Sequence, residues 1–146
     1  MTTVQRLLQS KGSDVWSIGP DASVYEALRL MAEKNVGALM VVDKDELVGI
    51  ISERDYAREI VLKDRSSHDT RVGAIMTRKV LYVRPEQTTD ACMALMAERH
   101  LRHLPVLDAD RLVGVISMRD VVKDVISEKE FLIEQLENYI ADRWVR

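Results

Sequence analysis

Two heptapeptides in this chain carry the same chemistry: Gly-Ile-Ile-Ser-Glu-Arg-Asp at 49–55 and Gly-Val-Ile-Ser-Met-Arg-Asp at 114–120. Ser followed three residues later by Asp, just ahead of an apolar run, is a variant capping box. The Ser oxygen takes a backbone N–H, and the Asp sets negative charge in the first helical turn. Capping alone leaves Arg54 and Arg119 unexplained, because a cation in the first turn faces the positive end of the helix dipole. An anion resolves the conflict. Free N–H groups, the hydroxyl of Ser52 or Ser117 and an Arg fork can converge on a phosphate. Asp55 and Asp120 can then accept both hydroxyls of a ribose.

The heptapeptides sit inside a longer duplication. Shifting the sequence by 65 residues aligns 15–58 with 80–123 without a gap, and 17 of the 44 positions are identical. The identities are spread along the unit, from Pro20 and Pro85 through Leu30-Met31-Ala32-Glu33 and Leu95-Met96-Ala97-Glu98 to Leu47-Val48-Gly49 and Leu112-Val113-Gly114.

Periodicity supplies the elements that must position the motifs. Residues 15–18 and 80–83 read as short strands ended by Gly19-Pro20 and Pro85. Helical spacing follows behind Ser23, through Val24, Ala27, Leu28 and Met31, and again behind Thr88. Two compact apolar runs per unit then form a hairpin, across Lys44-Asp45-Glu46 and across Ala109-Asp110-Arg111. Helical patterning returns after Ser52 and Ser117. Each unit is therefore expected to be β-α-β-β-α, with an N-terminal helix and lead-in at 1–14, a first repeat at 15–62, a linker and short helix at 63–79, a second repeat at 80–127 and a helical extension at 128–146. No Gly or Pro interrupts the chain after Ser117, so a helix of about 28 residues, roughly 40 Å long, is expected there. Its stripe of Leu132, Leu136, Ile140 and Trp144 outruns the repeat and suits a subunit interface, while Glu128, Glu130, Glu134 and Glu137 argue against membrane association.

Composition bounds the rest. At 146 residues, 47% apolar and 31% charged, the chain has the makeup of a soluble globular protein of one domain or two half-sized units. A net charge of −3 gives no basic field for nucleic acid. The single cysteine, Cys92, allows no internal disulfide and reads as a small buried residue of an apolar helix face, which together with the absence of a signal-like or membrane-spanning run points to the cytoplasm. His100, His103 and Cys92 do not make a metal set, because one histidine closes a helix and the other opens a strand. No spacing places a base beside either Ser, so the chain is not expected to be an enzyme.

With both motifs and the duplication in view, the chain resembles the paired cystathionine β-synthase (CBS) domains, also called Bateman modules. Both heptapeptides fit that family's signature of Gly, an apolar residue, any residue, Ser or Thr, two further residues and Asp. Arg102-His103-Leu104-Pro105-Val106 and Ile75-Met76-Thr77 are also typical of it. The resemblance implies an α/β fold of two tandem repeats packed about a pseudo-twofold axis, with nucleotide clefts. It assigns Asp55 and Asp120 to ribose, and Ser52, Arg54, Ser117 and Arg119 to ribose or phosphate. It places one adenine against Val15, Trp16, Ser17, Ala38, Leu39 and Met40, and the other against Thr77, Val80, Tyr82, His103, Leu104 and Pro105. The implied ligand is AMP, with NAD(H) close behind and ADP, ATP or S-adenosylmethionine as further candidates, and no metal is needed. The implied role is a free-standing homodimeric sensor that passes nucleotide occupancy to an unknown regulated protein. The alternative is an interaction module whose motifs only cap helices.

Overall fold

The computed structural model describes the backbone of residues 2–144 and the side chains of residues 2–140. In chain order it contains α1 (Val4–Lys11), β1 (Ser17–Ile18), α2 (Val24–Lys34), β2 (Ala38–Asp43), β3 (Glu46–Ser52), α3 (Glu53–Tyr56), α4 (Val72–Ile75), α5 (Thr89–Arg99), β4 (His103–Asp108), β5 (Arg111–Ser117) and α6 (Met118–Trp144). A π-helical turn, Ala57–Val61, continues directly from α3. The fold is mixed α/β.

The expected repeat is visible element by element. Both leading helices start at a hydroxyl cap: Ser23 accepts the Glu26 N–H and Thr88 accepts the Ala91 N–H, each at 3.1 Å. Both end at a left-handed residue, Asn35 at φ 55° and His100 at φ 56°. The two hairpin turns also match, with Lys44-Asp45 at 50° and 66° and Ala109-Asp110 at 49° and 66°, the paired positive φ values of a tight hairpin turn.

Two compact units are present, and they are interleaved along the chain. One combines Ser13–Tyr82 with Pro105–Val115. Within it, β1 runs parallel to β2 and β2 antiparallel to β3, and one face of this sheet buries Leu39, Val41 and Ile51 with Val24, Ala27 and Met31 of α2 and Ile60, Val72, Ile75 and Met76. Alternation along β2 turns Ala38 and Met40 to the opposite face, where their register partners are Ser52 and Ile50. The other unit combines Met1–Gly12, Val83–Leu104 and Ile116–Arg146. Here α1 and α5 pack on α6, and buried Val4, Leu7, Cys92, Met96, Val121 and Val125 fill the space between them. Backbone bonds from Val4 to Gln87, at 2.8 Å, and from Thr89 to Thr2, at 2.9 Å, fasten α1 beside the start of α5.

Three expectations need correction. Residues 80–82 do not form a strand, and the counterpart of β1 in the second repeat is reduced to a single β-bridge at buried Val83. In the first repeat the strand expected over 15–18 contracts to Ser17–Ile18. The helix after Ser52 breaks down early: four α-helical residues give way to a π turn that ends at Leu62, and Asp64 at φ 53° closes it. The long C-terminal helix is present as expected, 27 residues from Met118 to Trp144. The side chain of Trp144 lies outside the described residues.

Candidate functional site

Each motif begins where a hairpin strand runs into a helix. In the first, Glu53 N–H donates to Gly37 O at 3.0 Å, and in the second Met118 N–H donates to Arg102 O at 2.8 Å, so the residue leaving the strand is tied back to the start of the same hairpin. Ser52 and Ser117 then stand in extended conformation at the helix boundary, half-buried, each followed by an exposed Arg and a half-buried Asp.

The capping geometry is complete in both copies. The Ser52 N–H donates to Asp55 Oδ2 at 2.9 Å while the Asp55 N–H donates to Ser52 Oγ at 3.2 Å, and the hydroxyl itself lies 3.1 Å from Oδ2. The Ser117 N–H donates to Asp120 Oδ2 at 2.9 Å and the Asp120 N–H to Ser117 Oγ at 3.1 Å. One carboxylate oxygen of each Asp is thus committed to fixing its own helix start. This rigidity orients the second oxygen, which the cap does not use.

The two carboxylates have different company beyond the cap. Thr77 Oγ1 lies 3.5 Å from Asp55 Oδ1. The Thr77 backbone is bound more firmly: it exchanges both hydrogen bonds with Ile50, at 3.0 and 2.8 Å, and so extends the edge of β3. Gly49 allows this approach, since a Cβ there would stand 2.9 Å from the Thr77 carbonyl and 2.7 Å from Met76 Sδ. The glycine of the first motif therefore has a packing reason of its own. The resemblance groups Thr77 with the base contacts of the second copy, and its backbone is paired with Ile50 of β3 in the first repeat.

The second copy has a residue that sequence reasoning missed. Lys11, the last residue of α1, reaches Asp120 Oδ2 with its Nζ at 2.6 Å. Lys11 lies ahead of the gapless 15–58 and 80–123 alignment, so the repeat does not point to it, although a basic residue closing a short helix is legible in the sequence. Burial works to raise the Asp120 carboxyl pKa, but the Lys11 ammonium and the Ser117 N–H and hydroxyl outweigh it and hold it below its ordinary value. His103 feels the same group of charges. Burial lowers its imidazole pKa, Asp120 opposes the shift, and Lys11 and Arg102 reinforce it, so the ring is held neutral to lower pH than an ordinary histidine.

The proposed base contacts divide in the same way. Ser52, Asp55 and Thr77 share a unit with Val15, Trp16, Ser17, Ala38, Leu39, Met40, Val80 and Tyr82, whereas Ser117 and Asp120 share one with His103 and Leu104, and Pro105 belongs to the former. Leu39, Met40 and Leu104 are fully buried, and Leu39 points into the core, so it offers a ligand only its backbone. Trp16 is exposed and carries the Lys34 ammonium 4.4 Å from its ring centroid. Among the described residues no cluster of three or more His, Cys, Asp or Glu could hold a metal ion. Cys92 is buried, and desolvation pushes its thiol up to about 11.

A duplicated strand-to-helix motif with a Ser–Asp cap and an adjoining Arg, set on paired α/β repeats, defines a class, and comparison with known proteins agrees. The family described as "CBS domain" matches twice, over residues 11–62 and 72–127. The chain belongs to the CBS-domain family, as a tandem pair. It is 40% identical to the mitochondrial CBS domain-containing protein CBSX3 of Arabidopsis thaliana over 95% of this chain and 72% of that one. It is 29% identical to the CBS domain-containing protein YhcV of Bacillus subtilis over 80% of this chain and 83% of that one. Among solved structures, a CBS-domain protein of Burkholderia ambifaria superposes with a TM-score of 0.84 at 54% identity, covering 86% of this chain and 95% of that one.

Proposed function

We propose that this CBS pair is an adenine-nucleotide-binding regulatory module, with AMP the favoured ligand and NAD(H) the next. The observation that carries the reading is the doubled Ser-x-Arg-Asp start, in which an exposed Arg adjoins a half-buried carboxylate whose one oxygen is fixed by the cap. Ribose takes the remaining oxygen, and phosphate takes the Arg and the helix start. The proposed base contacts Val15, Trp16, Ser17, Ala38 and Met40 include no carboxylate for the N1–H and amino group of guanine, although Ala38 and Met40 are themselves buried. Support from outside the chain comes from the CBS pair of protein MJ0100, solved with 5′-methylthioadenosine and S-adenosylmethionine, which shares the fold at a TM-score of 0.77 and 24% identity.

The module acts without catalysis, as a homodimer in the cytoplasm, and reports occupancy to a regulated protein through a change in dimer geometry. Residues 131–140 of α6 are all exposed, and Phe131, Leu132, Ile133, Leu136, Tyr139 and Ile140 are among them. An isolated helical segment of this length is marginal in water, so a second copy laid along it both orders the helix and covers its apolar side.

The completed caps favour one rival, an interaction module in which Asp55 and Asp120 serve only their own helices. Denaturing the purified protein and identifying released small molecules by mass spectrometry separates the two, with calorimetry against AMP, NAD(H) and GMP as the quantitative arm. Bound adenine compound and weaker GMP binding are the expected results. Absence of any adenine compound together with no heat from AMP or NAD(H) would leave the capping role standing alone.

A further inference from the structure

Two exposed apolar surfaces of the chain carry opposite charge. On α6, Ile133, Leu136 and Ile140 form a stripe at helical spacing, and Glu130, Glu134 and Glu137 run beside it. All six are exposed, the three acids have no ion pair among the described residues, and Lys129 is the one cation between residues 128 and 140. Like charges four residues apart on a helix repel, so Glu130 and Glu134 destabilise the lone helix until cations meet them. The other surface is the π turn that continues from α3, where Val61 is 55% and Leu62 79% exposed. Arg58 and Arg65 border it, exposed and without an ion pair among the described residues. Glu59 is already paired with Lys63 at 2.6 Å, and Asp64 is the one acid left there.

We propose that the α6 extension of one copy docks on the π turn of a second copy, and that a two-fold dimer carries this contact twice. The proposal rests on the homodimer in the reading above and names the surface that α6 covers. Ile133, Leu136 and Ile140 lie over Val61 and Leu62, and the acidic row meets Arg58 and Arg65. Pairing α6 with its own counterpart instead brings the acids of both copies together with only Lys129 from each to neutralise them. A second copy is the occupant because both complementary surfaces lie exposed on one chain, and a two-fold axis makes each meet the other. Asp55 lies two residues ahead of the π turn, so the segment that opens at the first motif also bears the interface.

The test measures dimer dissociation by sedimentation equilibrium for the full chain and three variants: Leu62→Ser, a basic-side reversal of Arg58→Glu with Arg65→Glu, and an acidic-side reversal of Glu130→Lys, Glu134→Lys and Glu137→Lys. An equimolar mixture of the two reversals completes the set. Every substituted side chain is exposed, so the single chain should tolerate the changes, and thermal melts confirm that each variant is folded. Leu62→Ser and each reversal are expected to weaken the dimer about tenfold or more, since every lost contact counts twice. In the mixture the reversed helix of one chain meets the reversed turn of the other, and the two parental surfaces meet as well. A heterodimer should therefore form with an affinity within about threefold of the parent. An unchanged dimer in any of the three variants, or two weakened reversals that do not recover on mixing, would overturn docking on the π turn while leaving the homodimer intact. A full chain that stays monomeric would overturn the homodimer and this proposal with it, with calorimetry still deciding the nucleotide reading.

Discussion

The first and second repeats share the Ser-x-Arg-Asp sequence and the same cap, yet they place different neighbours on it. In the first repeat the neighbour is Thr77, brought in by backbone pairing with Ile50. In the second it is Lys11, brought in by a helix whose start is hydrogen-bonded to residues 85–89. The helices that the motifs open also diverge. In the first repeat, α3 decays into a π turn and stops at Leu62, while α6 runs on for 27 residues. Duplication copied the capped Ser-x-Arg-Asp start, and divergence outside the duplicated stretch set its neighbours and the length of the helix that follows.

The largest expected effect tests the divergence of the helices. Ending the chain after Ser127 removes the exposed apolar segment of α6 that has no counterpart in the first repeat. Burial of even two or three such side chains contributes about 3 kcal/mol or more, so the truncated chain should dimerise at least about a hundredfold more weakly in sedimentation equilibrium. A dimer of unchanged strength would place the interface elsewhere.

Next comes the chemistry the copies share. Asp55→Asn and Asp120→Asn should each weaken one site by roughly tenfold or more, because a charge-assisted bond to ribose contributes about 1.5 to 3 kcal/mol. Asn can still accept the Ser N–H, so the unliganded chain should lose no more than about 1 kcal/mol. Loss of apo stability with nucleotide affinity intact would assign the aspartates to capping alone.

Gly49→Ala probes the neighbour of the first copy. The added methyl meets the Thr77 carbonyl at 2.9 Å and must push residues 76–77 off β3, at a cost of about 1 to 3 kcal/mol in urea unfolding. Nucleotide affinity at the Asp55 site should fall while the Asp120 site is spared. An unchanged unfolding midpoint would mean that the Thr77 segment yields freely and does not shape the site.

The smallest effect concerns pH and belongs to the second copy. His103 ordinarily titrates at 6.5, and burial lowers this in the folded chain, so the unfolded chain takes up a proton first as the solution is acidified. Its contribution to stability is complete above pH 6.5 and is lost as the pH falls through the lower folded value. Asp120, depressed from 3.8, contributes with the same sign at more acid pH: its stabilisation is present above 3.8 and lost as the pH falls through the folded value. His103→Gln should flatten the decline in thermal midpoint just below pH 6.5. A decline as steep in the variant would assign it to other groups.

The sequence by itself determined the duplication, the order of elements within each repeat, the hydroxyl caps, the hairpin turns and the family. Each of these rests on spacing of a few residues, and local chemistry is written locally. Capping boxes span three residues, hairpin turns two, and helical stripes repeat every three or four. Tertiary structure alone decided which strand candidates survived. Residues 80–83 are as apolar as 15–18 but make only a bridge at Val83, since a strand grows only where a partner offers a ladder. It also decided that the unit built on Ser13–Tyr82 takes in most of the second hairpin, Pro105–Val115. Most consequentially, it chose the neighbours of the two aspartates. Lys11 is 109 residues from Asp120, and Thr77 is 22 from Asp55. No periodicity reaches across such distances, because contacts between remote segments are fixed by which apolar faces must be buried together, and burial is a property of the whole fold.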